Sequence, residues 1–249
     1  MLDGLFQLPE GLSELAFWAL MGASFIGSFI TAALGIGGGA LVLVVMASVM
    51  PPAAIIPVHG MVQFGSNAGR AAMLVRFVHK PALPGFLLGS VIGSAIGGVV
   101  VIDLPPSLVQ IGLGLFIIWS VLAKPPAWLT SQPWLAGGIS SFLTMFFGAT
   151  GVFVANFTKS FRLDRHAHVA THATLMTAQH LLKVLVFGFL GFAFGAWAGV
   201  IVAMIAVGLL GTYAGGLMLN RMSERNFKIA LDALLILISL RLIYQGIMG

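Results

Sequence analysis

The chain contains PVHGMVQFGSNAGR at residues 57–70 and ATHATLMTAQHLLK at residues 170–183, two related stretches that decide its organisation. A shift of 113 (172 − 59) aligns His59 with His172, and the same shift aligns Arg70 with Lys183. At helical periodicity, four residues of each stretch fall within about 60° of one another, on one face. They are His59, Gln63, Ser66 and Arg70 in the first stretch, and His172, Met176, Gln179 and Lys183 in the second. We therefore predict one helix with a polar stripe in each half of the chain.

The composition is that of a helical membrane protein. Of the 249 residues, 59% are hydrophobic and only 8% are charged, whereas soluble domains average about a quarter charged residues. The sequence lacks the alternating pattern of a membrane β-barrel, so we expect an all-α, polytopic protein that contacts the lipid bilayer. Its net charge of +5 does not indicate nucleic acid, because the basic residues lie in short loops between apolar runs.

The first half contains five apolar segments separated by glycine and proline. We predict helices at 15–34, 40–50, 53–74, 82–102 and 107–123. The second segment is too short to cross alone as a straight helix, because a bilayer core needs about 20 helical residues. The run GIGGG at residues 35–39 is unfavourable inside a helix. A broken helix is therefore predicted at this point.

The second half repeats this order. Ser28 and Thr31 align with Ser141 and Thr144 at the same shift of 113, which places GATG at 148–151 opposite the GIGGG run. Glycines Gly93, Gly97 and Gly98 align with Gly211, Gly215 and Gly216 at a shift of 118. We predict a duplicated unit, with a lead-in at 1–14, repeat 1 at 15–124, a linker at 125–132 and repeat 2 at 133–249. The four-residue spacing of Gly89, Gly93 and Gly97 predicts a close-packing helix face.

The basic residues predict how the helices are oriented. If both short segments, at 40–50 and at 152–158, cross the membrane, each half has five crossings, an odd number, and the two repeats are inverted. With the N-terminus outside, the cytoplasmic loops at 76–80, 124–132, 159–165 and 221–228 carry nine Lys or Arg residues, and the opposite loops carry none. This asymmetry follows the positive-inside rule. The alternative has four crossings per half and two re-entrant segments, and it would place 76–80 and 221–228 on opposite faces.

Glycine breaks at matching positions of two inverted repeats are typical of substrate sites in transporters. Helices that begin at Gly39 and Val152 would direct their positive dipole ends into the protein, which favours an anion. The candidate binding residues are Gly35, Gly37, Gly38, Gly39, His59, Gln63, Asn67, Gly148, Thr150, Gly151, His172, Gln179 and His180. A role for the glycines in helix packing alone remains the alternative.

Titratable side chains inside apolar spans are costly unless they are functional or reach water. His59, His172 and His180 are candidates either to hydrogen-bond an oxyanion or to carry a coupling proton near neutral pH. Arg70 and Lys183 lie towards the ends of their helices, and we expect both to extend to the membrane interface. The neutral side chains Gln63, Asn67, Thr174, Thr177 and Gln179 are donors either to a ligand or to neighbouring helices, and the sequence leaves both open.

The residues favour a secondary transporter of a small anion, without a cofactor. The sequence contains no HExxH, GxSxG or phosphate-loop motif and no acidic pair within a span. None of the motifs that would indicate an enzyme is therefore present. A divalent-metal permease that uses the histidines as ligands is the alternative, because imidazole binds Ni, Co and Zn. A membrane scaffold without transport is a third hypothesis. The sequence leaves assembly into a homo-oligomer open.

Several motifs are similar to those of the sulfite exporter TauE/SafE family, also called the toluene-sulfonate uptake permeases. They are the two similar halves, GIGGGALVLV at 35–44, the proline pair at 51–52 with the helix after it, GSAIGG at 93–98 and GTYAGG at 211–216. His172, His180 and the segment RLDRHAH at 162–168 depart from this pattern. The resemblance implies transport of a sulfur-containing anion, such as sulfite or an organosulfonate, across the bacterial inner membrane.

Overall fold

A computed structural model describes residues 8–35, 37–101, 105–123, 131–148, 150–218 and 224–248. Within these ranges the chain forms helices and no strand, which confirms the predicted all-α class. Half of the predicted lead-in and most of the predicted linker lie outside the described residues. So do Ile36 and Ala149 of the two glycine breaks, and the basic residues Lys124 and Arg221.

The first half forms five helices. They are α1 (Glu14–Leu34), α2 (Gly38–Val49), α3 (Pro52–Met73), α4 (Leu83–Val100) and α5 (Pro106–Leu122). Ser13 caps α1, because its hydroxyl accepts a hydrogen bond from the Ala16 N–H at 3.2 Å. Proline begins α3 and α5, where its missing N–H costs no helical hydrogen bond. Two 3₁₀ turns, Val75–Phe77 and Lys80–Ala82, connect α3 to α4.

The second half repeats the same order of helices. They are α6 (Pro133–Phe147), α7 (Gly151–Ser160), α8 (Arg165–Phe189), α9 (Ala198–Met218) and α10 (Glu224–Met248). Asp164 caps α8 through the Ala167 N–H at 2.9 Å. Helices α2 and α7 have 12 and 10 residues. At a rise of about 1.5 Å per residue, both are shorter than the roughly 30 Å hydrocarbon core of a bilayer.

The two predicted glycine breaks are confirmed. Helix α1 ends at Gly35, which adopts a left-handed conformation with φ of 86°, and Gly37 follows with φ of 105°. Helix α6 ends in the same way at Gly148, with φ of 68°. Side chains with a Cβ rarely adopt such angles, so the glycines permit the chain to turn sharply from α1 into α2 and from α6 into α7.

Glycine faces bring helices from opposite halves into close contact. Helix α4 packs along α6, and α9 packs along α1. A Cβ on Gly93 would collide with the Gly138 carbonyl oxygen, and one on Gly211 would collide with the Phe25 carbonyl oxygen. The predicted close-packing face of α4 is therefore confirmed, and α9 has a face of the same kind.

These glycine contacts occur twice, with the halves exchanged. Gly93 and Gly211 are 118 residues apart, and their partners Gly138 and Phe25 are 113 residues apart. Both values equal the shifts between the two halves of the sequence. Two further pairs lie between equivalent helices, α3 against α8 and α5 against α10.

The distribution of polarity is that of a membrane protein. Serine, threonine, histidine and amide side chains are buried, whereas large apolar side chains on α4 and α9 are exposed, among them Ile92, Val99, Val202 and Leu210. Among the described residues, three helical segments are long and apolar enough to span a membrane: Glu14–Leu34, Lys80–Val100 and Phe194–Met218. Apolar side chains that would be unfavourable in water are therefore placed where lipid can cover them.

Candidate functional site

The two glycine breaks, one from each half, line a single cavity of about 50 Å³. One water molecule needs roughly 10–15 Å³ measured in this way, so the cavity has room for a small polyatomic ion. Its wall is formed by Thr31, Gly37, Gly39, Ala40, His59, Gln63, Asn67, Gly148, Gly151, Val152, His172, Met176 and His180. The breaks and both striped helices therefore meet at one place.

The short helices α2 and α7 begin at this cavity. The N–H groups of a first helical turn have no acceptor within their own helix and carry a partial positive charge. Gly39 and Ala40 of α2 and Gly151 and Val152 of α7 are part of the wall. Two positive helix ends are thus present at the same cavity.

His59 and His172 hold these helix ends in place. His59 Nε2 lies 3.0 Å from the Gly39 carbonyl oxygen, and His172 Nε2 lies 3.2 Å from the Gly151 carbonyl oxygen. A carbonyl oxygen only accepts, so in both contacts the imidazole Nε2–H donates. The two histidines, which align in sequence, therefore make equivalent contacts in the two halves. The buried Nδ1 of His59 has no hydrogen-bond partner.

A chain of polar side chains follows α3 along one side of the cavity. The Asn67 amide nitrogen donates to the Gln63 backbone oxygen at 2.8 Å and lies 3.3 Å from the Gln63 side-chain oxygen. Arg70 donates from a guanidinium nitrogen to the Asn67 side-chain oxygen at 3.0 Å. Arg70 is thus separated from the cavity by one amide side chain.

The opposite side of the cavity belongs to α8. The rings of His180 and His59 meet edge to face, with centroids 5.8 Å apart. Behind them lies Lys183, whose Nζ is 3.4 Å from the Thr144 hydroxyl and whose Cε packs against Gly60. The Thr144 hydroxyl in turn donates to the carbonyl oxygen of the cavity residue Gly148 at 3.1 Å, so the Lys183 ammonium group is also one side chain away from the cavity.

The expectation that Arg70 and Lys183 extend to the membrane interface is wrong. Arg70 is 3% exposed and Lys183 is 0% exposed. Both lie on the faces where α3 and α8 contact each other and the helix breaks, so the stems of these side chains are enclosed by protein. A position near a helix end permits snorkelling only if the side chain points to lipid or to the helix end.

Four predicted binding residues are not part of the cavity wall. Gly35 ends α1, and Gly38 packs against α1, where a Cβ would collide with the Gly27 carbonyl oxygen. Gly38 therefore has the role in helix packing that was the alternative prediction for the glycines. Thr150 and Gln179 are fully buried, and their side-chain polar atoms have no partner.

The structure also places residues in the wall that sequence reasoning missed: Thr31, Ala40, Val152 and Met176. Thr31, Ala40 and Val152 are neighbours of the breaks in sequence, and Met176 belongs to the second stripe. Their positions next to the breaks or on the stripe could have predicted their place in the wall, whereas their apolar or weakly polar side chains did not suggest a binding role. By contrast, the Thr174 and Thr177 hydroxyls donate to carbonyls one turn earlier in α8, at 2.9 and 2.7 Å, so their O–H donors are used within α8.

The histidines do not form a metal site with a third ligand. Among the described residues, no three His, Asp or Glu side chains lie close enough together to hold a metal ion. His59 and His172 already use one ring nitrogen each to bind a backbone carbonyl. The donors that face the cavity are amide N–H groups, imidazoles and helix N-termini, a set that suits an anion.

Comparison with known proteins identifies the family. The sequence model described as Sulfite exporter TauE/SafE matches residues 20–242, nearly the whole chain. No curated protein and no solved structure matches the chain. The chain belongs to the sulfite exporter TauE/SafE family, and it is a membrane transporter of the sulfite-exporter type.

Proposed function

We propose that this member of the TauE/SafE family carries a small sulfur-containing oxyanion, such as sulfite or an organosulfonate, across the bacterial inner membrane. The substrate binds in the cavity between the two glycine breaks, and two inverted repeats of five crossings each expose it alternately to the two sides. The observation that carries this proposal is that breaks from both halves line one polar cavity.

Each wall of the cavity has a chemical role in this function. Backbone N–H groups in the first turns of α2 and α7 bind the oxygen atoms of the anion. Gln63, Asn67 and His180 supply side-chain contacts, since all three face the cavity. His59 and His172 hold the helix ends, and together with His180 they are the proposed carriers of a coupling proton.

The paired helices support the inversion of the repeats. Lys183 of α8 packs against Gly60 of α3, and His79, which follows α3, donates from its N–H to the hydroxyl of Thr171 near the start of α8 at 2.9 Å. The two helices therefore run in opposite directions where they meet. Because α3 and α8 are equivalent helices of the two halves, antiparallel contact is what inverted repeats require. The equivalent glycine contacts of α4 with α6 and of α9 with α1 also support two structurally equivalent repeats.

Contacts between two loops support five crossings in each half. The Phe77 and His166 rings lie 5.2 Å apart, and the His79 N–H donates to the Thr171 hydroxyl at 2.9 Å. The loop after α3 and the start of α8 therefore lie on the same face of the membrane. Five crossings in each half account for this contact, because α4, α5, α6 and α7 then make an even number of crossings between the two loops. Re-entrant short segments would separate the two loops.

Transport is tested with the purified chain in proteoliposomes. We expect saturable flux of radiolabelled sulfite, and competition by unlabelled organosulfonates if both substrates share the cavity. Empty liposomes of the same lipid composition give the background. Saturable flux of neither substrate would contradict the proposal.

The metal-permease alternative predicts a different ligand response. Divalent Ni, Co or Zn would raise the thermal unfolding temperature of the purified protein, and oxyanions would not. We expect the reverse, because the donors in the cavity wall suit an anion. A scaffold without transport predicts no response to either ligand.

A further inference from the structure

Two basic side chains are buried beside the cavity, and the proposed function assigns them no role. Arg70 and Lys183 are the buried basic residues in the described part of the chain. Both approach the cavity wall through a neighbour, Arg70 through Asn67 and Lys183 through Thr144, whose hydroxyl donates to the carbonyl oxygen of the cavity residue Gly148. An uncompensated charge inside a protein in a membrane is costly.

The described acidic residues do not compensate these charges. Glu10, Glu14 and Asp164 are exposed, and Asp232 is half-buried on α10. Within the described residues, Arg70 and Lys183 bond to the neutral partners Asn67 and Thr144. The buried Arg70 Nε has no partner at all. Both cations are therefore available to an anion that enters the cavity.

The two cations lie on opposite sides of the cavity. Lys183 packs against Gly60, ten residues before Arg70 on α3, so the two cations lie about 15 Å apart along that helix. The sequence alignment also makes them equivalent, since Arg70 matches Lys183 at the shift of 113. An anion between the two breaks is thus flanked by one positive charge from each repeat.

We infer that the cavity selects a doubly charged oxyanion, with Arg70 and Lys183 as its two counter-charges. This inference rests on the proposed function and narrows it: a dianion such as sulfite is preferred to a singly charged organosulfonate. A monoanion would leave one buried positive charge without compensation, whereas a dianion balances both. The cations act across the side chains of the wall and do not need direct contact with the ligand.

The test compares two ligands that carry the same –SO₃ group with different charge. Slightly above neutral pH sulfite is mostly a dianion, whereas methanesulfonate is a monoanion at every accessible pH. We expect the purified chain to bind sulfite at least about tenfold more tightly in calorimetry, since one further charge that interacts across a side chain in the protein interior changes the binding constant by roughly a factor of ten. Equal affinity, or tighter binding of methanesulfonate, would overturn the inference and leave the proposed function intact. Binding of neither ligand would overturn both.

Variants test whether the two cations cause the preference for sulfite over methanesulfonate. Arg70→Gln and Lys183→Met each remove one charge and should lower the sulfite-to-methanesulfonate affinity ratio by about tenfold, mainly through weaker sulfite binding. Arg70→Lys keeps the charge and should keep most of the ratio. Lys159→Met removes an exposed charge at the end of α7 and is the matched control. An unchanged ratio in both neutral variants would overturn the role of the cations. If either variant fails to fold, the wild-type ratio and the other variant still decide.

Discussion

His59 and His172 show how single side chains set the geometry of the site. Each donates to a backbone carbonyl in the first turn of a short helix, at 3.0 and 3.2 Å. Neither short helix has a side-chain N-cap, so these contacts from the neighbouring striped helix fix where α2 and α7 begin. A displacement of the helix start would move the backbone N–H groups that face the cavity.

Replacing these histidines tests this role. In His59→Ala and in His172→Ala, the carbonyl loses its side-chain donor, which costs about 1–3 kcal/mol of local stability. We expect sulfite flux in proteoliposomes to fall by about tenfold or more, while the thermal unfolding temperature falls only slightly. His166→Ala, which changes a half-buried histidine outside the cavity, should keep normal flux. Unchanged flux in both cavity variants would remove the two histidines from the site.

Gly38 and Gly22 provide a matched pair of substitutions. A Cβ on Gly38 would strike the Gly27 carbonyl oxygen, whereas a Cβ on Gly22 would meet nothing within 4 Å. Gly38→Ala should therefore lower the free energy of unfolding by about 1–3 kcal/mol, and Gly22→Ala should not lower it. Thermal unfolding in detergent measures both. Equal stability of the two variants would contradict the close packing of α2 on α1.

At the scale of the element, the glycine faces of α4 and α9 hold the two halves together. Gly93 and Gly211 lie at equivalent contacts, against Gly138 and Phe25. Close approach of helix backbones replaces the hydrophobic effect, which provides no driving force between helices in lipid. Both contacts should therefore respond alike to a larger side chain.

The prediction is that Gly93→Leu and Gly211→Leu each separate a helix pair and lower both the unfolding temperature and the amount of monodisperse protein. Gly216 is in the same helix as Gly211 but has open space where a Cβ would lie. Gly216→Leu should consequently be tolerated. Size-exclusion chromatography and thermal unfolding report the difference, and a tolerated Gly93→Leu would argue against the α4–α6 contact.

The elements could be predicted from sequence because each depends on a local property. The positive φ angles at Gly35 and Gly148 require glycine, and the proline pair marks the start of α3. The helix breaks and boundaries could therefore be predicted from the sequence. Burial of Arg70 and Lys183 was not visible, since it depends on what the next helix places beside them. The exclusion of Gly38 from the cavity likewise depends on its contact with Gly27, which no spacing in the chain reveals.

At the scale of the whole molecule, the arrangement rests on which loops share a face of the membrane. The sequence predicted this from the nine basic residues of four loops. The contact between the His79 and Phe161 rings, with centroids 5.0 Å apart, brings two of these loops together. The prediction that this shared face is cytoplasmic follows from the basic residues alone, so a separate experiment tests it.

Reporter fusions and cross-linking test the topology. Reporters fused after residues 78 and 223 should both indicate the cytoplasm, and one fused after residue 192 should indicate the outside. The chain has no cysteine, so a Phe77→Cys, His166→Cys double variant should be joined by a short bifunctional thiol reagent without background. Val78→Cys paired with Phe192→Cys, on opposite faces, is the control. Opposite reporter signals at 78 and 223 would exclude five crossings in each half.

The exchange of helices between the halves has a consequence for biogenesis. The Ser24 hydroxyl of α1 donates to the Met204 carbonyl of α9 at 2.6 Å, across 180 residues of chain. During translation, the first helix therefore enters the lipid long before the segment that covers its small-residue face has been made. Neither half can complete its packing while the ribosome still holds the other, so the nascent protein has to be kept in an unfinished state until its last helices are inserted.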